Sequence, residues 1–395
     1  MCLHRGRSVS PYRDPRRGGG LPREGRNNQL PQDMGYADMT QTTLAQPELS
    51  AHKEAVQRAA DRLVELGSAG VQFRVTRGEN TFVVTSGVAE LGTDRPVPED
   101  GRFRVSCITK PFVSTVVLQL VAEGRIELDR SVESYLPGLL PYGDKITVRN
   151  LLQHTSGLYN YADSFQKPGD RFLRDRYKHY EPEDLIAIAA AKPLEFEPGT
   201  EFAYCNTNYF IIGLLIKKVT GRSYRDEIRE RVLEPVGLTQ TTLPGDDPEI
   251  PQPHARGYMR IGGRAEDVTL MNPSEAGCAG EIISTTADLD RFLVALFGGK
   301  LLGDAEFREM TTPLPAEMIK DLPMGIGYGL GLMKLQNDKD LDLWGHGAGI
   351  PGYATFMATT PDLGIRVQLS ITLNADFGKE AEQAVIRGVN TAVCL

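Results

Sequence analysis

Phe-Arg-Val-Ser-Cys-Ile-Thr-Lys-Pro-Phe, residues 103–112, is the stretch of this 395-residue chain that is most informative about its architecture. The apolar residues that alternate at its start are typical of a strand. Apolar residues then continue at helical spacing from Val113 to Val121. Pro111 fits the first turn of that helix, because proline lacks an N–H group and is tolerated there. The stretch therefore predicts a strand that passes directly into a buried helix.

Cys107 and Lys110 lie three residues apart at the start of this helix. Side chains at i and i+3 share a helix face, so the lysine can reach the thiol. Unsatisfied N–H groups and the dipole at a helix N-terminus stabilise an anion, and a nearby lysine also lowers a thiol pKa. We therefore expect Cys107 to be a nucleophile. Two alternatives are a buried structural cysteine beside a solvated lysine, and Ser106 as a rival nucleophile four residues before Lys110.

The composition indicates a folded protein with two lobes. The chain exceeds the ~250–300 residues at which one core usually stops growing. Its 41% hydrophobic and 24% charged residues are ordinary for globular proteins, and its net charge of −8 argues against a nucleic-acid partner. Residues 1–30 contain seven Arg, no Lys and two acidic residues, so we expect residues 1–48 to form a disordered basic tail. No export h-region or transmembrane run is present, so we expect no membrane partner.

The cysteines indicate a reducing compartment. Five of them, at positions 2, 107, 205, 278 and 394, are too few and too odd in number for a disulfide framework. Free thiols in a chain without an export signal predict a cytoplasmic location. Cys107, Cys205, Cys278 and His346 lack the short ligand spacings of a zinc site. We therefore expect neither a metal nor a cofactor.

Strand patterns occur near both ends of the chain, and helical patterns lie between them. The predicted strands are 71–76 and 81–88 near the start, and 328–335, 341–346, 352–358 and 365–374 near the end, before a final helix from about residue 378. This order predicts one sheet built from both ends of the chain and an inserted helical lobe. We assign residues 49–127 and 271–395 to the α/β sheet lobe and residues 128–270 to the helical lobe. A ligand pocket is expected between them.

Three further segments contain candidate functional residues. His154, in Leu-Leu-Gln-His-Thr-Ser-Gly-Leu (151–158), is more typical of a structural hydrogen-bonding residue than of a catalyst. Residues 197–206 form a turn that delivers Tyr204 and Asn206 before an apolar helix, although Tyr204 on its own is more typical of core packing than of a proton carrier. Residues 344–353, Trp-Gly-His-Gly-Ala-Gly-Ile-Pro-Gly-Tyr, are glycine-rich. This last pattern indicates either close backbone approach to a ligand or a wide β-turn.

The ordered motifs C-I-T-K, L-L-Q-H-T-S-G-L, P-G-T-E-F-A-Y-C-N-T-N-Y and G-H-G-A-G-I-P-G-Y together resemble the β-lactamase-related serine hydrolases. The resemblance is to the branch of class C β-lactamases, D,D-peptidases and esterases, and it covers roughly residues 50–393. It implies a β-lactamase/transpeptidase-like α/β fold of the α+β type. In that fold an antiparallel sheet from both chain ends is flanked by helices and carries an inserted helical lobe.

The resemblance also implies roles for individual residues. Cys107 occupies the position of the acylated serine, Lys110 that of the lysine that shuttles its proton, and Tyr204 that of the general base and acid. Asn206 resembles the residue that orients the lysine and the substrate. In the third motif, His346 takes the position of a lysine or histidine. The resemblance also implies that the N–H groups of Cys107 and Gly349 form the oxyanion hole.

The sequence departs from the family pattern at three positions. The nucleophile is a cysteine, either natural or introduced in place of serine. Cys205 replaces the middle residue of Y-S-N, and Ala348 stands where the third motif usually has glycine, which adds a methyl group near the substrate. A thiolate nucleophile forms a thioester, and thioesters favour amines over water more strongly than oxygen esters do.

These features predict an acyltransferase that moves an acyl group through acyl-Cys107, from an ester or thioester donor to an amine or alcohol, with secondary metabolism as one setting. Its expected partners are therefore a small-molecule acyl donor and acceptor. One alternative is a hydrolase of the same family: an esterase, amidase, D-amino-acid peptidase or β-lactamase-type enzyme. The other alternative is a binding or sensor protein that has lost turnover.

Overall fold

The computed structural model describes residues 46–165, 169–319, 322, 325–335, 337–373 and 379–394. The described strands are β1 (Ser68–Arg77), β2 (Asn80–Gly87), β3 (Phe103–Arg104), β4 (Tyr258–Ile261), β5 (Arg264–Asp267), β6 (Ile283–Ser284), β7 (Gly325–Tyr328), β8 (Met333–Leu335), β9 (Leu343–Ile350), β10 (Tyr353–Thr359) and β11 (Ile365–Leu373). The described helices are α1 (Gln46–Glu65), α2 (Thr109–Ala122), α3 (Val148–Leu152), α4 (Gly169–Asp175), α5 (Pro182–Ala190), α6 (Thr207–Thr220), α7 (Tyr224–Ile228), α8 (Glu234–Val236), α9 (Gly277–Gly280), α10 (Thr286–Phe297), α11 (Asp304–Thr311) and α12 (Lys379–Cys394).

Seven of these strands form one antiparallel sheet in the order β2-β1-β11-β10-β9-β8-β7. The sheet combines strands from both ends of the chain, so the predicted fold class is confirmed. Phe73 of β1 and Phe356 of β10 both stand opposite Leu369 of β11, and all three side chains are buried. Such cross-strand apolar contacts fix the register, because a slip of one residue would turn each side chain to the other face.

Helices cover both faces of the sheet. Val56, Ala60 and Leu63 of α1 lie at helical spacing and share an apolar core with β1 and with Val389 and Val393 of α12. On the other side, α10 packs on β10 and β11. The helix α2, which follows the cysteine, is buried along most of its length in a second and larger core formed mainly by the helices of the middle of the chain.

The predicted tail overlaps the first described helix by three residues. Residues 1–45 of that tail lie outside the described residues, and residues 46–48 belong to α1. The tail boundary that we placed at residue 48 therefore falls within α1. The acidic Glu48 in the first helical turn is favourable beside the positive end of the helix dipole.

Three strand predictions also need correction. The predicted strand 328–335 is two strands, β7 and β8, joined through Gly331 with a φ of +87°. The strand β9 runs through the glycines to Ile350, so these glycines lie within a strand. A Cβ atom at Gly345 would stand 1.9 Å from the carbonyl oxygen of Met357 on β10, which explains why glycine is required there. In addition, β4 and β5 form a hairpin inside the segment predicted as helical. The consecutive positive φ values of Gly262 and Gly263 favour its tight turn.

The strand β3 pairs with β6 and places the cysteine segment beside the end of the helical middle region. None of the described helices is long and apolar enough to cross a membrane.

Candidate active site

Cys107 lies in a 3₁₀ turn, Ser106–Ile108, immediately before α2. Only 4% of the residue is exposed. The backbone just before the turn is held on two sides, because Val105 N–H donates to Ile282 O at 2.9 Å and Thr355 Oγ1 donates to Val105 O at 3.1 Å. The thiol therefore stands on a rigid support between the sheet and the segment that follows α9.

Lys110 lies one turn after Cys107, and its side chain is fully buried. Its Nζ donates to Asn206 Oδ1 at 2.8 Å and to Ala279 O at 2.9 Å. These two acceptors fix the position of the Lys110 nitrogen one helical turn after the thiol.

A partly buried ion pair lies two residues after Ala279, with the Glu281 carboxylate fully buried and Arg225 one-third exposed. Glu281 follows α9 and accepts from Arg225 Nε at 2.8 Å and from Tyr224 Oη at 2.6 Å. Burial of the carboxylate is offset by this set of hydrogen bonds. The pair fixes the segment that supplies one of the two acceptors of Lys110.

Tyr204 and Asn206 reach the site from the turn before α6. The Lys110 Nζ lies 4.9 Å from the centre of the Tyr204 ring. The Asn206 backbone N–H donates to Asn160 Oδ1 at 3.0 Å, which fixes the asparagine beside the lysine. Between them, the Cys205 thiol donates to Leu158 O at 3.3 Å. The Cys205 side chain therefore contacts the segment after α3.

A chain of buried hydrogen bonds lies behind Tyr204. His154 Nδ1 accepts from Cys205 N–H at 3.2 Å, and His154 Nε2 is 3.2 Å from Tyr328 Oη. Tyr328 Oη is 3.3 Å from His346 Nε2, and His346 Nδ1 is 2.7 Å from Gly347 O. One set of proton positions satisfies every contact: His154 Nε2–H donates to Tyr328, Tyr328 O–H donates to His346 Nε2, and His346 Nδ1–H donates to Gly347 O.

Both histidines of this hydrogen-bond chain, His154 and His346, are kept in their neutral form. Burial, with smaller contributions from Lys110 and His346, holds the pKa of His154 well below its ordinary value. Burial also lowers the pKa of His346 to about 4, where the effect of Cys107 acts in the opposite direction. The neutral forms agree with the proton positions required by the hydrogen bonds. The ring of His154 also packs against Tyr204, with ring centres 4.2 Å apart.

Two further cysteines of the described chain, Cys205 and Cys278, are also buried. Burial raises the pKa of Cys205 to about 11 and raises that of Cys278 well above its ordinary value. These two thiols therefore stay protonated near neutral pH and are poor nucleophiles.

The glycine-rich strand β9 borders the cysteine turn. Ser106 Oγ donates to Gly349 O at 2.8 Å, so the carbonyl of Gly349 points toward this turn. In a β-strand the N–H and C=O of one residue point to the same side, so the Gly349 N–H is also directed there. This direction is the one that an oxyanion donor beside Cys107 requires. Ala348, by contrast, packs against the larger apolar core.

The structure brings six of the seven predicted site residues together around the thiol: Cys107, Lys110, Tyr204, Asn206, His346 and Gly349. The seventh, Ala348, lies on the same strand as His346 and Gly349. Sequence reasoning did not identify the roles of Tyr328, Ala279 and Ser106. Tyr328 was visible as the start of Tyr-Gly-Leu-Gly, but only the fold shows that it bridges two histidines.

Two further observations concern binding sites elsewhere. A cavity of about 410 Å³ is lined by Arg176, Glu249, Ile250, Pro251, Gln252, His254, Arg256, Asp267, Thr269 and Leu270, and none of the predicted site residues lines it. Within the described residues, no group of three or more His, Cys, Asp or Glu side chains is arranged to hold a metal ion.

Comparison with known proteins places this site in a family context. The Beta-lactamase family matches residues 56–389. A D-stereospecific amidohydrolase from a Streptomyces species has 38% sequence identity and a TM-score of 0.76, over 84% of this chain and 98% of its own. A D-amino acid amidase from Ochrobactrum anthropi SV3 has 28% identity and a TM-score of 0.76, over 86% of this chain and 98% of its own. Penicillin-binding protein 4* of Bacillus subtilis strain 168 is 28% identical over 80% of this chain and 70% of its own length.

Proposed function

Because the chain belongs to the β-lactamase family, as its motifs indicated, we propose that it is an acyl-transfer enzyme that forms a thioester on Cys107. The observation that carries this proposal is the position of Lys110. Its fully buried Nζ is fixed by Asn206 Oδ1 and Ala279 O, one helical turn from the thiol. A buried amine with this geometry has no evident structural purpose, because an apolar side chain would fill the same space at lower desolvation cost.

In the first step, the Cys107 thiol gives its proton to the Lys110 amine, and the thiolate attacks the carbonyl carbon of an ester or thioester. The negative charge that develops on the carbonyl oxygen is stabilised by the N–H groups of Cys107 and Gly349. The tetrahedral intermediate collapses, the bond to the leaving group breaks, and the leaving group takes the proton back from Lys110 by way of Tyr204. The product of this step is the Cys107 thioester.

In the second step, an acceptor attacks the thioester carbonyl and gives its proton to Tyr204, while the hydroxyl proton of Tyr204 moves to the neutral Lys110 amine. The Cys107 thiolate then leaves and is reprotonated from Lys110. We propose an amine or alcohol as the acceptor, because a thioester favours amines over water more strongly than an oxygen ester does. Water is the second candidate acceptor, and the amidohydrolase and amidase names of the matched structures favour it.

The first experiment tests the nucleophile. The protein is incubated with the 4-nitrophenyl ester of a simple carboxylic acid, and acylated peptides are identified by mass spectrometry. The acyl group is expected on Cys107, and it is expected to persist in Ser106→Ala and to disappear in Cys107→Ala. Acylation that survives Cys107→Ala and is lost in Ser106→Ala would contradict the assignment.

The second experiment tests the acceptor, with Cys107→Ser as the matched variant. The ratio of amide product to free acid is measured at increasing concentrations of an added amine. We expect the wild-type ratio to exceed that of Cys107→Ser, because only the wild type forms a thioester. Equal ratios, with free acid as the main product in both, would instead support hydrolysis.

A further inference from the structure

Ser106 has an unusual backbone conformation for its residue type. Its φ is +52°, in the left-handed region that glycine adopts without cost, and the residue is 2% exposed. A side chain other than glycine is uncommon there and costs on the order of 1–3 kcal/mol. Such strain persists only where the surroundings impose it, and it is concentrated at functional sites. The serine side chain therefore requires an explanation.

The hydroxyl of Ser106 lies between the nucleophile and the sheet. Its Oγ donates to Gly349 O at 2.8 Å and lies 3.7 Å from Cys107 Sγ. A carbonyl oxygen can accept two hydrogen bonds. However, the hydroxyl also lies 3.7 Å from the sulfur, so an acyl group attached to Cys107 would approach this carbonyl from beside the hydroxyl.

The backbone carbonyl oxygens along this edge of β9 accept hydrogen bonds from side chains of the protein itself. Among the described strands, β8 pairs with β9 only from Leu343 to Gly345, so residues 346–350 have no strand beside them on that edge. An open edge of this kind normally accepts the backbone N–H groups of an extended ligand. Here His346 Nδ1 already donates to Gly347 O, and Ser106 Oγ already donates to Gly349 O. The acceptors of this edge are therefore satisfied from within the protein.

We propose that Ser106 is a specificity-determining residue that selects against acyl groups with an N–H on the carbon next to the scissile carbonyl. Acylated amino acids and peptides carry that donor, and it would have to compete with the Ser106 hydroxyl for Gly349 O. Simple carboxylic acyl groups do not carry it and lose nothing. The proposal rests on the proposed function, because it assumes that the acyl group is bound to Cys107. It narrows the donor class to esters or thioesters of carboxylic acids without an α-amide.

The test uses two probes of the same shape. These are 4-nitrophenyl N-acetylglycinate and 4-nitrophenyl 4-oxopentanoate, in which a CH₂ group replaces the N–H. The ratio of their kcat/KM values is measured for the wild type, Ser106→Ala and Ser106→Gly. Intrinsic differences in ester reactivity cancel when the ratios of variant and wild type are compared. Ser106→Gly also removes the backbone strain, so this variant is expected to fold at least as well as the wild type.

Both variants are expected to increase the ratio in favour of N-acetylglycinate by about 3- to 10-fold, the range of one hydrogen bond. The matched control is Thr115→Val, which removes a buried hydroxyl that donates to Pro111 O within α2 and should leave the ratio unchanged. A ratio that stays within twofold of the wild type in both Ser106 variants, or that falls, overturns the inference. Mass spectrometry separates the two failures: an unchanged ratio with acyl-Cys107 present overturns only the role of Ser106, whereas absence of acyl-Cys107 with both probes overturns the proposed function as well.

Discussion

Replacement of Tyr328 by phenylalanine removes one oxygen atom from the centre of the buried hydrogen-bond chain. That oxygen is 3.2 Å from His154 Nε2 and 3.3 Å from His346 Nε2. In Tyr328→Phe the His154 donor and the His346 acceptor both lose their partner in a fully buried environment. Each unsatisfied buried group costs about 1–3 kcal/mol, so the free energy of unfolding should fall by roughly 2–5 kcal/mol. The ring is retained, so no cavity larger than one oxygen atom contributes to this loss.

The assay is urea unfolding followed by the fluorescence of Trp344, which is the single tryptophan of the chain and is 4% exposed. Tyr353→Phe is the matched control. The Tyr353 hydroxyl is also buried, but it donates to Ala255 O at 3.0 Å rather than to a histidine. We expect a loss of about 1 kcal/mol for the control, the value of one ordinary hydrogen bond.

The same variant tests the effect of the chain on catalysis. Without the Tyr328 hydroxyl, the His346 ring keeps its hydrogen bond to Gly347 O but loses the one that fixes Nε2. We expect kcat/KM to fall by about 10-fold in Tyr328→Phe, which corresponds to ~1.4 kcal/mol, and to change little in Tyr353→Phe. The reasoning is refuted if Tyr328→Phe is no less stable than Tyr353→Phe, since the two histidines would then not depend on the shared hydroxyl.

Three further predictions follow from the site. Lys110→Met should retain the fold, as judged by circular dichroism, and should lower kcat/KM by about 10²–10⁴-fold through loss of the general base; a decrease of less than tenfold would exclude that role. The pKa of His346 is lowered from 6.5 to about 4, so the unfolded chain binds more protons than the folded chain between these two pH values. The free energy of unfolding should therefore fall by ~3 kcal/mol as the pH falls from 6.5 to 4. Trp344 fluorescence in urea at each pH measures this decrease, and His346→Gln should make it smaller. Glu281→Gln should lower the free energy of unfolding by about 2 kcal/mol in the same assay. This is less than the ~3–5 kcal/mol of a fully buried pair, because Arg225 is one-third exposed. A loss no larger than that of Glu54→Gln, which removes a carboxylate from an exposed ion pair, would contradict this prediction.

The sequence predicted the parts of the fold that depend on local pattern. The strands near both ends of the chain and the buried helix after Cys107 follow from hydrophobic periodicity, which is a property of neighbouring residues. Strand ends were less well predicted. β9 continues through Gly345 because the backbone of β10 approaches closely there, and that approach depends on how the two strands pair. The hairpin of β4 and β5 was missed although Gly262 and Gly263 signal its turn.

The candidate site also has features that local sequence pattern predicts and features that depend on tertiary packing. The sequence by itself determined the chemical types and their order, namely a thiol, a lysine one turn later, and then Tyr204 and Asn206 in a turn before a helix. It did so because these motifs are short and their internal spacing is set by local geometry. Only the tertiary structure decided that the Ala279 carbonyl holds the lysine, that Tyr328 bridges two neutral histidines, and that the Ser106 hydroxyl occupies Gly349 O. These contacts join residues that are tens to hundreds of positions apart, and their geometry depends on how the sheet and helices pack, which no local pattern encodes.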